Sequence, residues 1–277
     1  MKILISADME GATGVTWPAD CEPGTEQWQR CRRMFTSDVN AAVLGFLAGG
    51  ADEVLINEAH STMRNLLLEE LDDRAVMLTG RHKELTMVEG VQRGDVDGVA
   101  FVGYHTAAGT EGVLAHTYLA NSITGVRVDG EVGSEGRLNA LVVAEYGVPV
   151  VLVTGDDRTC EDAAGYAPAA RSVAVKDCVD RYAAVCRTPA RTAADIRGAA
   201  EAAAKLAGRS EPLPPAPHEI EVEFDAAHLT GAATMVPGVA RTGPRSVRWT
   251  SPSMYEGIRA FKAVCTMVSN AVEENYG

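Results

Sequence analysis

Two carboxylates, Asp8 and Glu10, stand directly behind the apolar run Ile3, Leu4 and Ile5, with Gly11 following them. The run reads as a short buried strand. Acids at i and i+2 where a buried strand ends are costly unless positive charge sits between them. No lysine or arginine occurs between Ser6 and Arg30, so the chemistry this pair suits is the holding of a metal ion. The competing reading is structural: a helix N-cap Asp with a Glu in the first turn.

Further candidate ligands follow other apolar runs. His60 comes within three residues of the segment 53–57 (EVLIN), and His105 directly follows 97–104, whose apolar centre is 99–102. His116 lies eleven residues beyond His105, in a second short apolar patch, and Asp156 and Asp157 follow 149–154 (PVVLVT). In an open parallel sheet the strand C-termini share one edge, and ligands bind in the crevice there. Four strands are therefore expected to deliver acids or imidazoles to one rim. Each piece has a plainer alternative. His60 and His105 also read as ordinary loop histidines, and His116 as a partly buried ring bonded to a backbone carbonyl. Asp156 and Asp157 also read as a helix cap, while His82, His218 and His228 are assigned to the surface.

The elements that must position these residues alternate. After a long loop over 11–33, Thr36 or Ser37 caps a helix whose apolar face carries Val39, Ala42, Val43, Phe46 and Leu47, and Gly49-Gly50 ends it. Strands are expected at 53–57, 75–79, 97–104, 149–154 and 171–176, with short helices at 83–91 and from Ser134 to about 146. Asp129-Gly130 between β-prone runs is a hairpin signal. An alanine-rich helix over 192–208 precedes a proline-rich linker at 210–217. A half-exposed strand at 219–224, its partner at 246–250 and a closing helix from 253 to about 275 complete the chain. This order predicts an α/β fold: a doubly wound, mostly parallel sheet in a metal-binding domain over 1–208, with a smaller α+β portion over 209–277 packed on it.

Composition bounds the partners. The 277 residues are 46% apolar and 23% charged, with a net charge of -13, which argues against nucleic acid or an anionic membrane surface. No stretch reaches the ~20 apolar residues of a membrane span, and Met1-Lys2 leads straight into the first strand, so no signal peptide is expected. The six cysteines are scattered without a C-x-x-C pair. They read as free thiols of a cytoplasmic protein, and cysteine-ligated zinc is not expected. H-E-x-x-H, G-x-S-x-G and G-x-x-x-x-G-K-[ST] motifs do not occur. The Gly11-Ala-Thr-Gly14 turn lacks the third glycine of a nucleotide fingerprint, and acids sit where phosphate would bind.

The start S-x-D-x-E-G (residues 6–11) resembles the D-aminopeptidase family of di-zinc metallopeptidases, the M55 peptidases. Similar segments are 57–60 after a strand, Met87-Val-Glu-Gly90, Gly103-Tyr-His105, His116, 135–140 (EGRLNA), 149–157 (PVVLVTGDD) and Val236-Pro-Gly238. The resemblance implies metal ligands at Asp8, Glu10, His60, His105 and Glu135, with His116 as the catalytic histidine. The family's G-E-x-G-x-N-A is shifted by one here. Glu135 is preferred because its distance to Asn139 is kept, and Glu131 is the fallback ligand. Two imidazoles and three carboxylates suit zinc, with manganese or cobalt as substitutes. Five ligands fit two Zn²⁺ per subunit sharing a bridging carboxylate, for which Asp8 is the natural choice. His116 would then carry the proton to the leaving amine or stabilise the oxyanion. The likeness further implies short peptide substrates with an N-terminal D-residue, such as D-Ala-D-Ala, and a ring-shaped homodecamer. The alternatives are another di-metal amidohydrolase acting on a small amide, a non-catalytic metal-binding protein, and a nucleotide-binding α/β protein.

Overall fold

In the computed structural model, which describes residues 1–272, the Ile3–Ile5 run lies within strand β1 (Lys2–Ala7). The chain continues through α1 (Pro18–Cys21), α2 (Glu26–Ala48), β2 (Glu53–Glu58), β3 (Ala75–Leu78), β4 (Gly98–Val102), β5 (Ile123–Val128), β6 (Glu131–Val132), α3 (Glu135–Glu145) and β7 (Val150–Asp156). It ends with α4 (Asp157–Tyr166), β8 (Arg171–Asp180), β9 (Ala183–Cys186), α5 (Pro189–Ala203), β10 (His218–Phe224), α6 (Leu229–Ala233), β11 (Ala240–Arg241), β12 (Ser246–Ser251) and α7 (Met254–Ser269).

The first sheet has the order β3-β2-β1-β4-β7-β8-β9 and is parallel except for the β8–β9 edge pair. The chain winds outward from β1 through β2 to β3, then returns to place β4 on the other side of β1. The gap between β1 and β4 is thus the point where winding reverses, and crevices at such points bind ligands. Alternation along β1 serves two cores. Ile3, Ile5 and Ala7 pack with α2 and α5, alongside Val39, Phe46, Ile196 and Ala200. Leu4 faces the opposite layer, with Phe101, Leu138, Ile220 and Phe261. Each such fully buried aliphatic or aromatic side chain contributes about 1.5–3 kcal/mol.

That opposite layer holds a second sheet of order β11-β12-β10-β5-β6, whose strands pair antiparallel. It joins segments from both sides of residue 208: β10 pairs with β5 as well as with β12. Asp129 and Gly130, both at positive φ (53° and 84°), make the tight β5–β6 turn that the Asp-Gly pair signals.

Several local expectations are corrected. The helix expected from Thr36 or Ser37 begins ten residues earlier, at Glu26, where Thr25 accepts a hydrogen bond from the Trp28 N–H. Its first turns bury Trp28, Cys31 and Phe35 at helical spacing, a face obscured by the intervening arginines. The expected loop over 11–33 consequently contains α1 and the start of α2. The segment 83–91 forms no α-helix but two single 3₁₀ turns, separated at Gly90, whose φ is 112°. The expected strand at 171–176 extends to Asp180 and turns into β9. The alanine-rich helix starts at Pro189 and ends at Ala203. Ser253 caps α7 as expected, but the helix stops at Ser269, and the last expected helical residues include some outside the described range.

Candidate metal centre

β1 and β4 are locked at the ends that carry the chemistry. The Asp8 N–H donates to the Val102 carbonyl (2.8 Å) and the Gly11 N–H to the Gly103 carbonyl (2.8 Å). The approach is so close that a Cβ on Gly11 would lie 1.8 Å from the Tyr104 oxygen, which requires glycine there. This contact sets Asp8 and Glu10 beside His105. His60 arrives from the end of neighbouring β2.

Glu135 comes from the first turn of α3, whose N-cap Ser134 accepts from the Arg137 N–H. One turn later on the same helical face, Asn139 donates to the Tyr104 hydroxyl (3.1 Å), and that hydroxyl is 2.7 Å from Ser6 Oγ. The spacing between Glu135 and Asn139 thereby ties α3 to the residue preceding His105. The Tyr118 N–H donates to Glu135 Oε1 (2.7 Å) and orients it.

All the side chains singled out at the rim by the family likeness meet. His60 Nδ1 is 2.9 Å from Glu10 Oε2 and 3.5 Å from Asp8 Oδ1. His105 Nε2 is 3.3 Å from Asp8 Oδ2 and 3.6 Å from Glu135 Oε1. His116 Nε2 is 3.7 Å from Glu10 Oε1 and 4.0 Å from Glu135 Oε1. The rings of His105 and His116 stack with centroids 4.2 Å apart. Each imidazole places its other nitrogen against a backbone carbonyl: His60 Nε2 against Cys21, His105 Nδ1 against Thr106, and His116 Nδ1 against Leu114. A proton committed to that carbonyl leaves a lone pair facing the carboxylates, the arrangement that orients metal-binding histidines.

Burial makes the cluster demand a cation. Asp8 and His105 are each 2% exposed and Glu135 5%. Asp8 Oδ2, Glu10 Oε2 and His105 Nε2 are buried without a hydrogen-bond partner. Burial, and then Glu10, push the Asp8 carboxyl upward. Burial also opposes charge on Glu10 and Glu135, but the imidazoles of His60 and His105 outweigh it and hold both carboxyls below their ordinary range. Burial likewise opposes charge on His60 and His105, yet Glu10 beside the first and Glu135 beside the second, with Asp8 beside both, raise them well above the usual imidazole value. Positive charge must come from ring protons or from a bound ion. Donor atoms fall into three groups within 4.8 Å: Asp8, His105 and Glu135; Glu10, His105 and His116; and Glu10, Cys21 and His60. Orphaned oxygens, imidazole nitrogens and this spacing fit zinc.

Other candidates lie elsewhere. Asp156 is the N-cap of α4: its carboxylate accepts from the Thr159 N–H and Oγ–H and from the Val113 N–H. Asp157 accepts from the Cys178 N–H. The cap reading of this pair is therefore the right one. Glu131 is exposed on β6, outside the donor groups. His82 and His228 are exposed and His218 is partly so, pairing with Asp129.

The model of the M55 peptidases, described as D-aminopeptidase, matches residues 1–263. The chain belongs to this family. A D-aminopeptidase of Bacillus subtilis (strain 168) is 33% identical over 282 residues, covering 100% of both chains. Among solved structures, the Zn-dependent D-aminopeptidase DppA from Bacillus subtilis, described as a self-compartmentalizing protease, aligns with a TM-score of 0.90. It is 31% identical, over 97% of this chain and 98% of that one. Within this M55 fold, two contributors carry no motif in the sequence. Cys21 supplies the carbonyl that orients His60. Lys176 of β8, fully buried, donates to the carbonyls of Glu10 (2.6 Å), Ala12 (3.0 Å) and Val15 (2.6 Å) and so pins the loop that bears Glu10.

Proposed function

We propose that the chain is a zinc-dependent aminopeptidase that removes the N-terminal residue, a D-amino acid, from short peptides such as D-Ala-D-Ala. The observation that carries this reading is the convergence of three imidazoles, each seated on a backbone carbonyl, upon three buried carboxylates. Asp8, Glu10, His60, His105 and Glu135 would hold two zinc ions. When bound, zinc supplies Lewis acidity, making water nucleophilic near neutral pH and polarising a carbonyl oxygen.

The chain's own groups do the rest. His116 has the most exposed side chain of the three, at 13% against 8% for His60, while His105 is fully covered. It lines both the cavity of about 380 Å³ and the adjoining one of about 330 Å³. Its Nδ1 is anchored at Leu114, so Nε2 is the atom that hands a proton to the departing amine.

Assembly into a ring-shaped homodecamer, enclosing the sites so that only short peptides enter, is part of the same reading. The description of DppA as self-compartmentalizing supports it. So do the exposed Trp17, Val179, Tyr182 and Val185, which lie on the β8–β9 hairpin or, for Trp17, meet Tyr182 edge to face. Six unbridged thiols support a cytoplasmic setting.

The test loads purified protein with zinc and follows p-nitroaniline release from D-Ala and L-Ala anilides in parallel. Zinc-dependent turnover of the D-anilide is expected, with two zinc ions per chain by elemental analysis and a decamer by light scattering. Asp8→Ala should lose metal, whereas His116→Ala should keep it and lose most turnover. Full metal occupancy with neither anilide nor dipeptide cleaved would instead leave a metal-binding protein without peptidase activity.

A further inference from the structure

The cavity that opens on the metal centre is lined by side chains of both signs. Its acids are Asp8, Glu10 and Glu135, all members of the cluster. Its lysines and arginine, Arg81, Lys83 and Lys262, come from the loop after β3 and from α7. Among the described residues, none of these three has a carboxylate oxygen within 4.0 Å. Lys262 Nζ donates to the Lys83 carbonyl, and its other two N–H groups have no partner among the described residues. Lys83 Nζ donates to Asn57 Oδ1 (2.6 Å) and to the Glu58 carbonyl, which leaves one N–H without a partner among the described residues. Arg81 is exposed, and its guanidinium makes no hydrogen bond to the described residues.

Acids near this wall are committed elsewhere. Glu84 meets the Tyr255 hydroxyl and Arg259. The Glu58 carboxylate accepts the N–H groups of Asn65 and Leu66. Glu89 accepts from the Leu85 N–H and from Gln92. In a chain of net charge -13, cations facing a cavity without a carboxylate partner are open to an anion from outside.

We propose that Lys262, Arg81 and the remaining N–H of Lys83 receive the C-terminal carboxylate of a short peptide whose amino end lies at the metal centre. This rests on the aminopeptidase reading and adds the recognition of the leaving portion. An extended peptide advances about 3.5 Å per residue, so two or three residues span roughly 7–10 Å, the scale of a 380 Å³ cavity. Cations and metal ligands lining one cavity of that size would then select both for a free C-terminus and against long chains.

The experiment compares D-Ala-D-Ala with its C-terminal amide, using zinc-loaded wild type, Lys262→Met, Arg81→Met, the double variant and Lys262→Arg. Lys83 is left intact because its other two bonds hold the loop. Wild type is expected to prefer the free acid in kcat/KM by about tenfold or more, the worth of one charge-assisted hydrogen bond. In the double variant that acid-to-amide ratio should fall toward one, with zinc content kept, and Lys262→Arg should restore part of it. An equal loss on acid and amide, or a wild type without preference, overturns the carboxylate dock while leaving the aminopeptidase reading standing. A zinc-loaded wild type that cleaves neither peptide nor either alanine anilide overturns both.

Discussion

Replacing Lys176 with methionine should loosen the metal centre from behind. The ammonium is fully buried and bonded to three carbonyls of the loop after β1 at 2.6, 3.0 and 2.6 Å. Hydrogen bonds from a charged donor are each worth about 1.5–3 kcal/mol, and stranded buried acceptors cost about 1–3 kcal/mol each. Against this stands the relief of burying an ammonium, so the three bonds do not simply add. A net loss of about 2–4 kcal/mol is expected, the worth of one or two of these bonds once that relief is set against them. Urea unfolding of the zinc-free protein measures it, and titration with a chelator of known affinity measures the zinc sites. Zinc affinity should fall too, because the Glu10 carbonyl loses its anchor. The pH dependence gives an independent sign. Burial lowers the Lys176 pKa below its ordinary 10.5. Between the lowered value and 10.5 the unfolded chain binds more protons, so stability rises with pH there. The wild type should gain on Lys176→Met across that window. Equal stability within about 1 kcal/mol, below the cost of three stranded acceptors, together with unchanged zinc affinity, would refute the reasoning.

Three further outcomes are expected. Asp38 is buried, and despite donors from Thr13 its pKa rises from 3.8 to about 6. The folded state binds its proton more tightly, so its contribution is fullest below 3.8, declines up to about 6 and stays low above. Asp38→Asn should flatten that decline, worth about 3 kcal/mol at 1.36 kcal/mol per unit, in stability measured against pH. Gly11→Ala must displace either its own loop or the Tyr104 carbonyl, since the added carbon would lie 1.8 Å from that oxygen. A loss of about 1–3 kcal/mol by denaturant melting, with reduced zinc content, is the expected reading. Chelation should destabilise the wild type in proportion to RT ln(1 + [Zn]/Kd), about 4 kcal/mol at a thousandfold excess over Kd, and should change Asp8→Ala far less in the same thermal scan.

Much of the centre was legible because strand ends in a parallel sheet share an edge. Asp8, His60 and His105 each follow a run whose apolar character announces a strand, and counting forward from the run places them together. Glu135 and His116 follow no such run. They were placed by the likeness to the M55 peptidases, and the geometry adds the reason Glu135 keeps its distance from Asn139. Asp156 obeyed the counting rule and was still misplaced, because its carboxylate satisfies the helix that starts there. Lys176, Lys83 and Lys262 left no local trace. Their positions depend on which distant backbone groups arrive beside them, information held in strand order rather than in any window of residues. The early start of α2 was hidden for a different reason: Trp28, Cys31 and Phe35 carry its buried face between arginines that read as loop.

The pairing of β5 with β10 bears on how the molecule comes into being. Glu135 opens the helix that follows the β5–β6 hairpin, and that hairpin finds its sheet neighbour only some 90 residues downstream. A nascent chain that has emerged as far as α5 already owns every side chain of the ion cluster, yet lacks the strand against which the hairpin is laid. Capture of zinc should therefore be a late event in biogenesis, completed once the ribosome has delivered the last strands and α7, rather than a seed around which the N-terminal half first organises.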